Sequence, residues 1–303
     1  MSNVIIQTEN LCKQFQKKRV LSDLDFQVRA GEVVGLLGSN GSGKTTLLKC
    51  ILGLLKTTSG SSSVFDQDSW DLDASAKARI GYVSQDFALL PWMTVLGLTE
   101  YTGAFYDRWD QEFVNLLINE WKLDQKQRVG TLSAGQRQKL AVIVALGHRP
   151  DLLVLDEPVA SLDPAARRQF LQSLIEFTEN EAHTILFSTH ITSDLERIAS
   201  HVAFLVDGNI RFNSELDSLK NQVKRIRITA AENLPPSLGL PGTLREQIDG
   251  NHGLLAVNDF EALNLEFLSR EFQATATVED LNLEEIFLEV SGAPIQPEVE
   301  AVS

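Results

Sequence analysis

The chain has 303 residues, 43% hydrophobic and 22% charged, the composition of a globular protein long enough for two domains. Its formal charge of −14 argues against nucleic acid as a partner, because such binders need a basic face to displace counterions from phosphates. No stretch approaches the roughly 18 consecutive apolar residues of a membrane helix, and no basic-then-apolar start suggests a secretion signal. Cys12 and Cys50 have neither metal-ligand nor redox spacing and read as small buried hydrophobes.

In chain order, Val4–Thr8 and Phe26–Val28 predict strands framing a loop that holds Lys17, Lys18 and Arg19. Val33–Leu37 is a short continuous apolar run ending at a Gly-rich loop, the pattern of a strand buried on both faces of a parallel sheet. Leu47, Leu48, Ile51, Leu52 and Leu55 then recur at helical spacing. From residue 92 to 150 the pattern is helical, with Phe113, Leu116, Leu117 and Trp121 on one predicted face and Leu140 and Val144 on a second helix. Leu152–Leu155 and Thr184–Phe187 predict two more buried strands. A helix over Ala165–Phe177 separates them, capped by Asp163 and opened by Pro164. Val202–Val206, the turn Asp207-Gly208-Asn209 and Ile210–Phe212 predict a hairpin.

Beyond residue 220 the texture changes. Arg225–Thr229 alternates like an exposed strand, Leu234–Gly242 is a Pro/Gly-rich loop, and Phe260–Phe272 and Leu283–Val290 predict amphipathic helices. The expected organisation is a first domain over 1–220 with a helical subdomain at 87–150, an accessory α+β module over 221–290, and a flexible tail over 291–303.

Three motifs carry chemistry. Gly38-Ser39-Asn40-Gly41-Ser42-Gly43-Lys44-Thr45, followed by Thr46, matches G-x-x-x-x-G-K-[ST] between a predicted strand and helix. Its glycines let backbone N–H groups face an anion, Lys44 supplies a point charge for β- and γ-phosphates, and Thr45 a hydroxyl for Mg²⁺. Leu152-Leu153-Val154-Leu155-Asp156-Glu157 sets two carboxylates where a buried strand emerges, the edge at which open parallel sheets bind ligands. Asp156 would orient Mg²⁺ or its water, and Glu157 would polarise an attacking water. Leu132-Ser133-Ala134-Gly135-Gln136 opens a helix. Ser133 and Gln136 have capping-box spacing, while the small residues leave the helix start open to a phosphate, and both readings stand.

The order of phosphate loop, Gln85, Leu132-Ser133-Ala134-Gly135-Gln136, Asp156-Glu157, Ser161-Leu162-Asp163 and His190 resembles the ATP-binding subunits of ABC transporters over residues 4–215. The tail module, ending in Asn282-Leu283-Glu284-Glu285-Ile286-Phe287-Leu288-Glu289, is similar to that of bacterial ABC-2-type exporter ATPases. The resemblance implies an α/β P-loop cassette: a mostly parallel core sheet, an antiparallel β subdomain and a helical subdomain, plus the small α+β module. It implies an ATPase using ATP and Mg²⁺, peripheral on the cytoplasmic face of the membrane, paired with an integral membrane permease and a second ATPase subunit. It further implies that Phe15 stacks on adenine beside Val20, that Gln85 senses Mg²⁺ and the γ-phosphate, and that His190 holds the γ-phosphate. Ser133, Ala134, Gly135, Gln136 and Asp163 would complete the site of a second copy. Ala134 stands where the family carries glycine, and Pro158-Val159-Ala160-Ser161-Leu162-Asp163 departs from the common Pro-Thr-Ser-Gly-Leu-Asp. The competing reading is a soluble ATPase of the same family outside transport; single-cassette length and acidic charge favour the transporter. Phe87-Ala88-Leu89-Leu90-Pro91-Trp92-Met93 is either ordinary core or part of a groove for the membrane partner.

Overall fold

The computed structural model describes residues 4–292 apart from 87, 160, 161, 181, 182 and 264. The chain divides into two compact units, residues 1–213 and 214–303.

The first unit opens with a long antiparallel hairpin, β1 (Val4–Phe15) and β2 (Lys18–Arg29). Each strand has twelve residues, where alternation alone suggested short strands around a loop. Register shifts explain the difference, because Asn10 and Asp23 adopt left-handed conformations (φ 46° and 43°) and break the period-two pattern. Next come β3 (Val33–Leu37), α1 (Lys44–Ile51), β4 (Ser59–Val64), β5 (Gln67–Asp68), α2 (Ala74–Lys77) and β6 (Ile80–Val83). The helical segment follows as α3 (Val95–Gly103), α4 (Gln111–Glu120) and α5 (Ala134–Leu146). The unit continues through β7 (Leu152–Asp156), α6 (Pro164–Asn180), β8 (Thr184–Thr189), α7 (Thr192–Ile198) and β9 (His201–Val206), and β10 (Asn209–Glu215) begins in it.

Two sheets result. One is antiparallel with order β2-β1-β4-β5; the other has order β10-β9-β3-β8-β7-β6, and β6, β7, β8, β3 and β9 run parallel. Every residue of β3, β7 and β8 is buried, which is why these strands read as unbroken apolar runs. Ile6, Phe26, Leu36, Leu47, Leu48 and Val154 belong to one core that joins the antiparallel sheet, α1 and the parallel sheet. Asp207 and Gly208, both at positive φ, make the tight turn before β10.

On α4 the buried stripe is Val114, Leu117 and Ile118, with Trp121 just past its end, while Leu116 is 58% exposed. The predicted face was therefore partly misphased: spacing three and four from Val114 selects Leu117, Ile118 and Trp121, and puts Leu116 outside. Trp121 packs edge-on to Phe170 of α6 at 5.9 Å and donates to Ser173 Oγ at 2.9 Å. Asp163 caps α6, accepting from the amides of Ala165 and Ala166 at 2.9 Å each, and Pro164 is its first residue. Both cysteines are free and buried, and burial pushes the Cys50 thiol up to about 11.

The second unit holds α8 (Leu216–Gln222), β11 (Lys224–Ala230), β12 (Thr243–Asp249), β13 (His252–Val257), α9 (Leu265–Glu271), β14 (Ala274–Asp280) and α10 (Leu283–Ser291). Its antiparallel sheet has order β12-β13-β11-β14, so β11 is an inner strand rather than an exposed one. Ile226 and Ile228 are fully buried with Leu255 and Val257, and the alternating Arg225, Arg227 and Thr229 lie on the opposite face. The helix expected over Phe260–Phe272 is broken. Phe260–Ala262 is a single 3₁₀ turn, Leu263 turns extended at ψ 125°, and α9 begins at Leu265. The tail expected from 291 falls on Ser291 of α10, on Gly292, and on residues 293–303, which lie outside those described.

Candidate functional site

Parallel strands end on one edge of their sheet, so the loops after β3, β8, β7 and β6 meet there. The register makes this concrete: Leu37 pairs with Thr189, Asp156 with Ser188, and Val83 with Leu155. Residues just beyond these pairs are Gly38, His190, Glu157 and, two steps past Val83, Gln85. These are the positions singled out in the sequence.

The phosphate loop needs its glycines for definite reasons. Gly43 sits at φ 111° as the N-cap of α1, and a Cβ there would approach Leu21 Cδ2 to 2.9 Å. No side chain caps α1, so its leading N–H groups face outward at the positive end of the helix. Beside them lies a cleft of about 190 Å³ lined by Asn40, Gly41, Gly43, Lys44, Thr45 and Thr46, with Lys18, Val20, Gln85 and Glu157 on its other walls. Gly38 and Ser39 contribute their carbonyls, which accept from Lys44 Nζ at 2.7 and 3.2 Å. Ser42 is buried, and its hydroxyl has no hydrogen-bond partner among the described residues.

Two buried carboxylates follow one another at this edge, and Glu157 lines the cleft. Lys44 Nζ lies 3.3 Å from Glu157 Oε1, and His190 Nδ1 lies 2.9 Å from Glu157 Oε2. Lys44 and Glu157 are each buried, whereas the His190 side chain is 42% exposed and is not among the cleft-lining residues. Glu157 adopts φ 52°, a left-handed backbone that costs a non-glycine residue on the order of 1 kcal/mol or more. Its N–H donates to both the carbonyl and the hydroxyl of Ser188, at 3.2 and 3.0 Å, and these bonds hold the conformation. Asp156 is fully buried; its Oδ1 accepts from Ser188 Oγ at 2.6 Å, and its Oδ2 has no hydrogen-bond partner among the described residues. An orphaned carboxylate oxygen and the Thr45 hydroxyl on the adjoining helix are hard oxygen donors of the kind Mg²⁺ takes beside phosphates, so the residues fit that ion. Burial, together with the Asp156 charge, pushes the neighbouring Tyr82 phenol up to about 12, keeping it neutral.

Other expected residues lie elsewhere. Phe15 ends β1, 43% exposed, with Lys13 Nζ 4.9 Å from its ring centroid, and is not among the cleft-lining residues. Ser133 and Gln136 form the capping box of α5: Gln136 N donates to Ser133 Oγ at 3.2 Å and Ser133 N to Gln136 Oε1 at 2.9 Å. That settles two of the helix's leading amides, and those of Ala134 and Gly135 take no part in the box. None of residues 133–136 lines the cleft of the same chain. Asp163 is exposed, and the Ala166 amide first, then that of Ala165, hold its carboxyl below the usual range against the opposing effect of burial. Ser161 lies outside the described residues. Sequence reasoning missed Ser188, whose contacts depend on β7 and β8 being neighbours, and Lys18, which it placed in a loop.

A Gly-rich loop leading into an uncapped helix, opposed by two buried carboxylates at the carboxyl edge of a parallel sheet, defines a P-loop nucleotide hydrolase. The comparisons with known proteins narrow this. The family model described as "ABC transporter" matches residues 21–160. The ABC transporter ATP-binding protein YxlF of Bacillus subtilis is 34% identical over 223 residues, which cover 72% of this chain and 73% of that protein. The bacitracin transport ATP-binding protein BcrA of Bacillus licheniformis is 28% identical over 242 residues, covering 74% of each. Among solved structures, an ATP-binding subunit of an ABC transporter superposes with TM-score 0.66 at 26% identity, covering 72% of this chain and 92% of that one. The dimeric cassette MJ0796 superposes with TM-score 0.64 at 25% identity, covering 70% and 99%. The chain belongs to the ABC transporter ATP-binding family and is an ATP-binding, ATP-hydrolysing subunit of that kind. Among the described residues no helix is long and apolar enough to cross a membrane.

Proposed function

We propose that this chain works as one half of an ATP-closed dimer that drives a separate membrane permease from the cytoplasmic face, most specifically an exporter. The observation that carries the catalytic part is the placement of Glu157 between Lys44 and His190 at the wall of the cleft.

In this reading Lys44 and the amides of residues 39–46 bind the phosphates, Val20 flanks the base, and Phe15 stacks on it. Thr45, Asp156 and Gln85 hold Mg²⁺, which when bound would neutralise charge on the β- and γ-phosphates. Glu157 accepts a proton from the attacking water, and His190 keeps both Glu157 and the γ-phosphate in position. Binding of ATP draws Lys44 from Glu157 to the phosphates and frees the carboxylate for that work. Ser133, Ala134, Gly135 and Gln136 close on the γ-phosphate of a second copy, with Asp163 beside them, so neither site is complete alone.

Support for the dimer comes from the exposed start of α5, and from the dimeric structure of the similar cassette MJ0796. Relatives' names include zinc uptake and sulfate import as well as bacitracin transport, so the export reading rests on the layout of the second unit. Trp92 supports a permease groove: it is 67% exposed, while Pro91 O and Met93 O accept from Gly130 N and Val129 N and fix the backbone around it. Phe87, expected in the same segment, lies outside the described residues.

A mixing experiment tests the composite site. Lys44→Ala and Ser133→Arg chains, each inactive alone, should recover part of the wild-type ATPase activity when combined, because a mixed pair keeps one intact site. A wild-type rate from Ser133→Arg alone would show that the α5 start takes no part.

A further inference from the structure

Ser188 is fully buried on β8, directly opposite Asp156 in the ladder. Its hydroxyl makes two bonds that point in different directions: it donates to Asp156 Oδ1 at 2.6 Å and accepts from Glu157 N at 3.0 Å. One atom therefore contacts both members of the acidic pair. A hydroxyl has one proton to give, and spending it on Oδ1 fixes the rotation of the Asp156 carboxylate. The oxygen left over is Oδ2, fully buried and without a hydrogen-bond partner among the described residues. The second bond acts on the backbone, helping to hold Glu157 at φ 52° and so aiming its side chain at Lys44 and His190.

We infer that Ser188 is a positioning residue for the hydrolysis site, turning Asp156 Oδ2 toward the Mg²⁺ of the nucleotide complex while pinning the peptide that carries Glu157. The inference rests on the reading that Asp156 serves the metal. A buried carboxylate with neither oxygen held can rotate, and the metal then meets a mixture of orientations. An alanine would keep the fold, since it only removes an oxygen, but would free the Asp156 carboxylate and leave the Glu157 amide held by the residue 188 carbonyl alone. Outer hydrogen-bond partners of metal ligands commonly matter about 10- to 100-fold in metal affinity or activity.

The test uses the full chain with a non-hydrolysable ATP analogue and Mn²⁺ as the probe ion, read by the electron paramagnetic resonance of free Mn²⁺. Ser188→Ala should weaken Mn²⁺ binding about tenfold or more, while affinity for the analogue in EDTA stays at the wild-type value. Asp156→Asn should weaken Mn²⁺ binding as well, and adding Ser188→Ala to it should cost nothing further, because Ser188 acts through Asp156. Wild-type Mn²⁺ affinity in Ser188→Ala with a weakened Asp156→Asn would overturn the role of Ser188 alone. Wild-type affinity in both would overturn the metal reading of Asp156 beneath it. A Ser188→Ala chain that also loses metal-free nucleotide, or a fully additive double variant, would make Ser188 merely structural.

Discussion

Both units bury a cation among carboxylates, and they use it in opposite ways. In the first, Lys44 meets Glu157 at 3.3 Å on the wall of a cleft, and Asp156 Oδ2 and Ser42 Oγ have no hydrogen-bond partners among the described residues. In the second, Arg225 is enclosed by Glu289 at 2.8 Å, Glu285 at 3.4 Å and Glu279 at 3.9 Å. The Arg225 fork ties β11 to α10 and to the neighbouring β14, and Glu289 is buried beneath it. A buried pair that opens on a cleft is available to exchange partners with a ligand; one that closes on its own elements holds structure. The contrast teaches that a buried ion pair is read by what lies beside it, not by its own distance.

The largest expected effect breaks the pair in the first unit. Lys44→Ala removes the ammonium that the phosphate loop itself presents to the cleft and should cost about 2–5 kcal/mol of ATP binding, measured by equilibrium titration, with little change in folding. In the second unit the opposite pattern is expected. Glu289→Ala should lower unfolding stability by about 3 kcal/mol in denaturant titration while ATP affinity is unchanged. A loss of ATP binding from Glu289→Ala would remove the distinction between the two pairs.

A smaller effect separates either pair from the permease surface. Trp92→Glu should weaken capture of the membrane partner by about 2 kcal/mol, read as lost co-purification in detergent, with basal ATPase and melting temperature near wild type. Unfolding of the isolated variant would make Trp92 a core residue instead. The smallest effect is electrostatic and confined to the helical segment. Asp110 caps α4 through Phe113 N and takes two bonds from Arg149, and these hold its carboxyl below the usual value of 3.8. A carboxyl lowered by folding stabilises the folded state above its unfolded pKa, and that contribution is lost as pH falls from near 4 through the folded pKa. Melting temperatures of Asp110→Asn should therefore depend less steeply on pH below about 4 than those of the wild type.

The first unit was legible because its chemistry is written in local runs. Gly38 to Thr45, Leu152 to Glu157 and the apolar strand Val33–Leu37 each declare their role within a few residues. What stayed hidden depends on pairing across the chain: Ser188 matters only once β8 lies beside β7, and the hairpin β1–β2 disguises its length with bulges. The second unit offered only a change of texture. β12, β13 and β14 went unnoticed because Thr243–Asp249 and Ala274–Asp280 alternate weakly, with partly exposed residues on both faces. Arg225 read as the mark of an exposed strand, since nothing in sequence shows that Glu289, far along the chain, covers it.

Glu157 is where fold, strain and chemistry meet, and Glu157→Gln tests that most directly. The amide keeps the size of the side chain and its backbone bonds to Ser188 but cannot take a proton from water. Single-turnover hydrolysis with radiolabelled ATP should fall by about 10²- to 10⁴-fold, with ATP retained through gel filtration and light scattering giving roughly twice the 33.6 kDa chain mass. Hydrolysis at the wild-type rate in Glu157→Gln would contradict the assignment and move the base to another residue of the cleft.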